Sequence, residues 1–199
     1  MPINQIILEP AHGHMGEGKT YERGHTAAMY AETDLVPRYL HPLVEELELS
    51  RVRHKVLAIA TQPGLSTIER VEAIEPHSVV ICCHVGAGVK KLVNGSGACY
   101  GTPHSKELAV KLCQVMHAWG KGVNWVHANF GVKKASSPLL DLSHSQVVEI
   151  EPFYLDLPGA DAYASALEAL GRMLGEELAA YGRASNPNLA IRFQTLAVK

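Results

Sequence analysis

Several features that mark common classes of protein are scarce or missing in this chain of 199 residues. It has four cysteines and no Cys-x-x-Cys pair, which argues against a disulfide scaffold or a thiolate zinc cluster. No apolar run approaches the roughly 18–20 residues that span a bilayer, so we expect no membrane insertion. The 18 basic and 20 acidic residues give a net charge of −2, which provides no basic field for binding nucleic acid.

Histidine is the residue type in excess, with 11 copies against 3 phenylalanines and 2 tryptophans. Hydrophobic residues make up 47 % of the chain and charged residues 19 %, as in ordinary globular proteins. The length suits one domain, which we place at residues 1–182. Residues 183–199 form a tail in which Leu189, Ile191 and Phe193 alternate with other residues, a pattern that favours an edge strand or a dimer contact.

Short apolar runs alternate with segments of helical periodicity along the whole chain. The predicted strands are residues 5–8, 55–60, 78–83, 123–127 and 146–151. The predicted helices are 34–48, 66–75, 104–119 and 160–181, with Gly120 and Gly182 just past the ends of the last two. A Gly-rich loop is expected over 86–97. This order predicts a single α/β domain with a mostly parallel twisted sheet and helices on both faces.

Polar residues that bind metals or move protons follow three of these strands. His12 lies in the loop after the first strand, His84 directly follows residues 78–83, and Glu151 ends residues 146–151. Because the carboxyl ends of parallel strands meet at one edge of a sheet, we expect these side chains to lie together. Two imidazoles and a carboxylate are a common ligand set for catalytic zinc. His14, in the same loop as His12, is an alternative ligand.

Three short motifs resemble those of one enzyme family. Residues 6–13 (IILEPAHG) resemble its strand and first histidine, and residues 79–87 (VVICCHVGA) its second histidine. Residues 147–156 (VVEIEPFYLD) resemble its late strand, with a glutamate at Glu151 and an aromatic residue at Tyr154. Taken in order over residues 3–181, they resemble the zinc-dependent N-acetylmuramoyl-L-alanine amidases of the amidase-3 type, which include catalytic domains of phage endolysins. The resemblance implies the α/β fold of that family.

The resemblance also implies a set of site residues. Zn²⁺ would be held by His12, Glu32 and His84, and Glu151 would act as general base and then general acid, with Glu149 as the alternative base. Glu32 is the ligand by position, since a predicted helix begins just after it. The other glutamates that fit this position are Glu17 and Glu22. The sequence departs from the family pattern at Glu9, where the family has Asp, and at His14, where it has Gly.

The implied reaction is hydrolysis of the amide between N-acetylmuramic acid and L-alanine in peptidoglycan. One alternative is another metallohydrolase that uses His12, His14 and His84, and a second is a peptidoglycan-binding domain without catalysis. The first residues show no signal peptide. We therefore expect a protein that acts on the cell wall, such as a phage or prophage lysin released from the cytoplasm. The sequence leaves the oligomeric state open.

Overall fold

A six-stranded sheet forms the centre of the protein. The computed structural model describes residues 3–10, 26–27, 30–57, 71–88 and 91–189. The six strands are β1 (Gln5–Pro10), β4 (His54–Val56), β5 (Ser78–Cys83), β6 (Gly95–Tyr100), β7 (Ala128–Lys134) and β8 (Gln146–Glu151). Two short strands, β2 (Thr26–Ala27) and β3 (Tyr30–Ala31), pair separately.

The strand order across the sheet is β4-β1-β5-β8-β6-β7. Strands β4, β1, β5 and β8 run parallel to one another, β6 runs antiparallel to β8, and β7 runs parallel to β6. The carboxyl ends of β1, β5 and β8 therefore meet the amino ends of β6 and β7 at one edge. This arrangement confirms the predicted α/β domain with a mostly parallel sheet.

Three long helices cover one face of the sheet. They are α1 (Glu32–Leu49), α2 (Lys106–Val123) and α4 (Leu167–Ser185), and the short α3 (Ala160–Ser165) precedes α4. Apolar residues of the three long helices share one core with alternate residues of β5 and β8, such as Ile81 and Val148. Single 3₁₀ turns lie at Pro103–Ser105 and Pro187–Leu189.

A smaller apolar cluster covers the opposite face of the sheet. It joins the strand residues Ile7, Val80 and Val147 to Ile74, Leu139 and Leu140. Of the helix predicted over 66–75, residues 71–72 are helical and residues 73–75 are not, so the helix ends earlier than predicted; residues 66–70 lie outside the described part of the chain. Both faces of the central strands are therefore buried, as expected for near-continuous apolar runs. Each helix in the described ranges is too short or too polar to span a lipid bilayer.

Three predictions around α2 are wrong. The helix does not end before Gly120 but continues to Val123, so residues 123–127 form no strand, and β7 is Ala128–Lys134 instead. Gly120 lies inside the helix, and the close packing of His127 explains why this position is a glycine. A Cβ at Gly120 would lie 2.2 Å from His127 Cδ2. The loop predicted over 86–97 ends earlier than expected, because its last residues belong to β6.

The C-terminal helix also differs from its prediction. The segment predicted as one helix over 160–181 is α3 followed by α4, with a break at Ala166 (φ −106°, ψ 8°). Gly182 does not end α4, which continues to Ser185; a Cβ at Gly182 would lie 2.8 Å from Leu189 Cδ2, so the helix needs a small residue there. Leu189 belongs to a 3₁₀ turn. Ile191, Phe193 and residues 58–60 of the predicted second strand lie outside the described residues. The division at residue 182 stays a prediction.

Candidate active site

Three of the predicted site residues come together at the edge where β5 and β8 end. Glu32 is the first residue of α1 and is fully buried, His84 directly follows β5, and Glu151 is the last residue of β8. His12 lies outside the described residues. The same holds for its alternatives and rivals in the loop after β1, which are His14, Glu17 and Glu22.

Glu32 and His84 are in direct contact. Oε1 of Glu32 lies 2.9 Å from Nδ1 of His84, and the backbone N–H of Val85 donates to the same oxygen at 2.9 Å. The Tyr39 hydroxyl donates to the His84 carbonyl oxygen at 2.9 Å. Because Glu32 begins α1, its negative charge also lies at the positive end of the helix dipole. Helix α1 thus fixes both the imidazole and the backbone of His84.

The surroundings of His84 are strongly acidic. Burial lowers the pKa of His84, but its hydrogen bond to Glu32 and the charges of Glu149, Glu32 and Glu151 outweigh burial, so the pKa is raised overall. Glu149 Oε2 lies 4.0 Å from His84 Nε2. An imidazole among three carboxylates favours the presence of a positive charge. The edge of the sheet around His84 therefore concentrates negative charge.

Glu149 and Glu151 project from the same face of β8. They are two residues apart on a strand, while Val148 and Ile150 point into the core beneath the helices. Burial raises the pKa of Glu151, and the neighbouring charge of Glu149 raises it further. Glu151 is thus a carboxylate whose proton affinity exceeds that of an exposed glutamate, a property that suits a general base.

The Tyr154 hydroxyl donates a hydrogen bond to Oε2 of Glu151. This contact opposes the effect of burial, since it lowers the pKa of Glu151. The Tyr154 ring packs against Phe130, with ring centroids 5.5 Å apart, and against Gly86, where a Cβ would lie 2.4 Å from the ring. The resemblance predicted an aromatic residue here but not this contact. A phenol three residues after the glutamate is the signal that could have indicated it.

Sequence reasoning missed Asn94 entirely. Asn94 is 3 % exposed; its Nδ2 donates to the Tyr154 carbonyl oxygen at 2.9 Å, and its Oδ1 accepts from the Tyr154 N–H at 2.8 Å. The side chain therefore fixes the backbone of the segment that carries Tyr154. The two residues are 60 positions apart in sequence, so no local pattern predicts the pairing.

The described donors fit part of a zinc site. No group of three or more His, Cys, Asp or Glu side chains that could hold a metal occurs among the described residues. Two of the three predicted ligands, Glu32 and His84, are described, and their donor atoms converge to 2.9 Å. A carboxylate oxygen and an imidazole nitrogen are both ligands that zinc accepts. The third predicted ligand, His12, lies outside the described part of the chain.

Comparisons with known proteins identify the fold. No protein-family profile and no curated protein sequence matches the chain. Among solved structures, the N-acetylmuramyl-L-alanine amidase of Mycobacterium smegmatis is similar, with a TM-score of 0.68 and 16 % identity over 92 % of this chain and 98 % of its own.

Two further solved structures show the same likeness. For the catalytic domain of CwlV, an N-acetylmuramoyl-L-alanine amidase of Bacillus (Paenibacillus) polymyxa var. colistinus, the TM-score is 0.67 at 15 % identity, covering 89 % of this chain and 97 % of that one. For the catalytic domain of an endolysin targeting Clostridia difficile, it is 0.62 at 17 % identity, covering 94 % and 99 %. The chain therefore has the fold of the N-acetylmuramoyl-L-alanine amidases, as its sequence motifs predicted.

Proposed function

We propose that this protein hydrolyses the amide bond between N-acetylmuramic acid and L-alanine in peptidoglycan, with the help of a zinc ion. The observation that carries the proposal is the contact between Glu32 and His84 at the sheet edge where Glu149 and Glu151 also lie. The shared fold supports it, because the similar structures are amidases of this kind.

The proposed zinc ligands are His12, Glu32 and His84. When bound, zinc supplies a Lewis acid that lowers the pKa of water and polarises a carbonyl group. The buried Glu32 carboxylate carries negative charge to the site, and in the metal-free protein its contact with Nδ1 of His84 orients the imidazole. The Val85 N–H in turn holds the carboxylate in place.

Glu151 is the proposed proton carrier. It takes a proton from the attacking water and then gives it to the departing amine, a transfer worth about 10²–10⁴ in rate. Tyr154 is a positioning residue, since its hydroxyl fixes one carboxylate oxygen of Glu151. Glu149 is the alternative base, and its carboxylate lies near His84 Nε2. Single Gln substitutions at the two glutamates separate these roles.

Two other functions make different predictions. A metallohydrolase that uses His12, His14 and His84 would lose zinc in a His14→Ala variant and keep it in a Glu32→Gln variant. A domain that only binds peptidoglycan would release no product, with or without zinc. The contact between the buried Glu32 carboxylate and His84 supports the amidase proposal, because it brings together donor atoms of two of the proposed ligands.

The proposed place of action is the cell wall, as for a phage or prophage lysin. The test combines metal analysis with digestion of purified peptidoglycan, before and after chelation and zinc addition. We expect one zinc ion per chain, a fall in turbidity, and new amino termini that are exclusively L-alanine. New reducing sugar ends, or new amino termini other than L-alanine, would contradict the proposed bond.

A further inference from the structure

Two neighbouring loops at the active-site edge expose apolar side chains. The loop before β6 exposes Leu92 (95 %) and Val93 (39 %), and the loop before β7 exposes Trp125 (79 %) and Val126 (38 %). Elsewhere in the described ranges, the large hydrophobic side chain with comparable exposure is Leu49. A single exposed hydrophobic residue needs no explanation, but four in two loops that are joined by backbone hydrogen bonds are a candidate interaction site. We call these four residues the apolar ledge.

The backbone joins the two loops to each other and places them beside the active site. The Ala128 N–H donates to the Asn94 carbonyl oxygen at 2.9 Å, and Gly95 pairs with Ala128. Two residues further along β6, Gly97 pairs with Glu151. Because β6 runs antiparallel to β8, the start of β6 and the end of β8 lie at the same edge. The apolar ledge therefore lies just beyond the candidate catalytic glutamate.

A chain of hydrogen bonds connects the ledge to that glutamate. The Asn94 side chain bonds both backbone groups of Tyr154, and the Tyr154 hydroxyl bonds Glu151. Asn94 directly follows Leu92 and Val93 in sequence. The backbone that carries the ledge is therefore linked by hydrogen bonds to the candidate catalytic carboxylate.

The loop that carries Trp125 is held in one conformation by the residues around it. Lys121 Nζ donates to the Trp125 carbonyl oxygen, and the Val126 N–H donates to Asn124 Oδ1 at 3.2 Å. The next residue, His127, is 2 % exposed, and its N–H donates to the Asn124 carbonyl oxygen at 2.8 Å. The exposed indole is therefore carried on an ordered backbone, which lowers the entropic cost of binding.

We propose that the apolar ledge binds the glycan strand of the substrate, with Trp125 stacked against the apolar face of an N-acetylated sugar ring. The inference rests on the proposed function, because it places the glycan beside Glu151. A pyranose ring combines a face of C–H groups with a rim of hydroxyl groups, which matches an aromatic face flanked by aliphatic side chains. The proposal assigns the sugar, rather than the stem peptide, to the part of the active-site edge where the ledge lies.

The charges around the apolar ledge favour a neutral ligand. The four ledge side chains are uncharged. Two nearby lysines in the described part of the chain contact protein groups: Lys121 donates to the Trp125 carbonyl oxygen, and Lys91 lies over the Phe130 ring at 5.4 Å. The stem peptide carries carboxylates, which would call for cations directed outward. An anionic lipid surface is the competing occupant for exposed tryptophan and leucine beside lysines, and the experiment includes it.

Tryptophan fluorescence and calorimetry test the proposal with a neutral oligomer of N-acetylglucosamine that has no peptide. The chain has two tryptophans, and Trp119 is 4 % exposed, so Trp125 is the reporter in contact with solvent. We expect the oligomer to shift the emission of the unmodified protein in a saturable way. By calorimetry, Trp125→Ala should weaken binding about 10-fold or more, while Trp125→Tyr keeps most of the affinity. Leu49→Ala, which removes an exposed apolar side chain elsewhere, should bind normally.

Binding of the oligomer needs no hydrolysis, so a Glu151→Gln variant should bind it with unchanged affinity even if the proposed amidase reaction fails. In the active protein, Trp125→Ala should raise KM for intact peptidoglycan and leave kcat unchanged. The proposal is overturned if the oligomer does not bind, or if Trp125→Ala binds it as well as the original protein does. It is equally overturned if phosphatidylglycerol vesicles, or higher protein concentration, shift the Trp125 emission while the oligomer does not.

Discussion

Oε1 of Glu32 and Nδ1 of His84 lie 2.9 Å apart although the two residues are 52 positions apart in the chain. One begins a helix and the other follows a central strand, so only the packed fold brings them together. The carboxylate is fully buried, and burial of an uncompensated charge is costly. Its contacts with His84 and the Val85 N–H compensate that charge and make the pair a rigid part of the site.

The first prediction concerns zinc binding. Glu32→Gln removes the negative charge but keeps an oxygen that can accept from the Val85 N–H. We therefore expect the affinity for zinc to fall at least about 100-fold, while the free energy of unfolding of the metal-free protein changes by less than about 2 kcal/mol. Calorimetric zinc titration and chemical denaturation measure the two quantities. Glu48→Gln, an exposed position on the same helix, is the control; a Glu32→Gln variant with normal zinc affinity would remove Glu32 from the ligand set.

The second prediction separates the two glutamates of β8. Glu151→Gln should lower kcat on peptidoglycan by about 10²–10⁴ and leave zinc content unchanged, because the amide can still accept from Tyr154 but cannot take a proton. Glu149→Gln should have a clearly smaller effect. Rates of L-alanine amino-terminus release give the comparison. If Glu149→Gln proved the more damaging change, the base would be Glu149.

The third prediction tests Tyr154 as a positioning residue. Tyr154→Phe keeps the ring that packs against Phe130 but removes the donor to Glu151. Since that hydrogen bond lowers the pKa of Glu151, its loss should raise this pKa and move the acid limb of the rate profile to higher pH.

Tyr181→Phe is the matched control for this change. The Tyr181 hydroxyl donates to Gln146 Oε1 at 2.7 Å, at the opposite end of β8 from Glu151. We expect its pH–rate profile to match that of the unmodified protein. An unmoved acid limb in Tyr154→Phe would show that the hydroxyl does not set the proton affinity of the base.

The fourth prediction concerns stability in acid. Burial, with the nearby charges of His117 and Lys121, lowers the pKa of His127 from 6.5 to about 4 in the folded protein. His127 therefore stays neutral in the fold while it takes up a proton in the unfolded chain below pH 6.5. Its contribution is fully present above pH 6.5 and is lost as the pH falls toward 4, by about 3 kcal/mol in total.

Urea denaturation between pH 7 and pH 4 measures this effect. His127→Phe keeps a ring to pack against Trp119 and Tyr163 but cannot be protonated, so its stability should fall less steeply with acid. His104→Phe changes an exposed histidine and should keep the full pH dependence. Equal slopes for His127→Phe and the unmodified protein would contradict the assignment.

Apolar continuity explains which strands could be predicted. Strands β5 and β8 have the predicted bounds, residues 78–83 and 146–151, and half of the residues in each are Val or Ile, which favour strands. Strand β6 begins Gly-Ser-Gly-Ala, which has no strand signal of its own. It forms because β7 and β8 pair with it on both sides. Such a strand depends on tertiary pairing and cannot be read from local pattern.

The residues of the candidate site likewise divide into those that a local sequence pattern predicts and those that it does not. The positions of His84 and Glu151 at strand ends follow from the apolar runs before them, and Glu32 followed only from the resemblance to a family. The contacts of Asn94 with Tyr154 could not be predicted, because the fold brings together two residues that are 60 positions apart, whereas the contact of Tyr154 with Glu151 is local and had a signal in the sequence. Gly120 misled the prediction, since it serves packing against His127 rather than ending a helix.

X-ray absorption at the zinc edge, on protein loaded with one equivalent of zinc, tests the central claim most directly. The account predicts one tightly bound zinc ion with two imidazole ligands, one carboxylate ligand and no sulfur, at metal–ligand distances of about 2.0–2.2 Å. The same measurement on Glu32→Gln should lose the carboxylate contribution. A spectrum with three imidazoles, a spectrum with sulfur ligands, or a protein that binds no zinc would contradict the account.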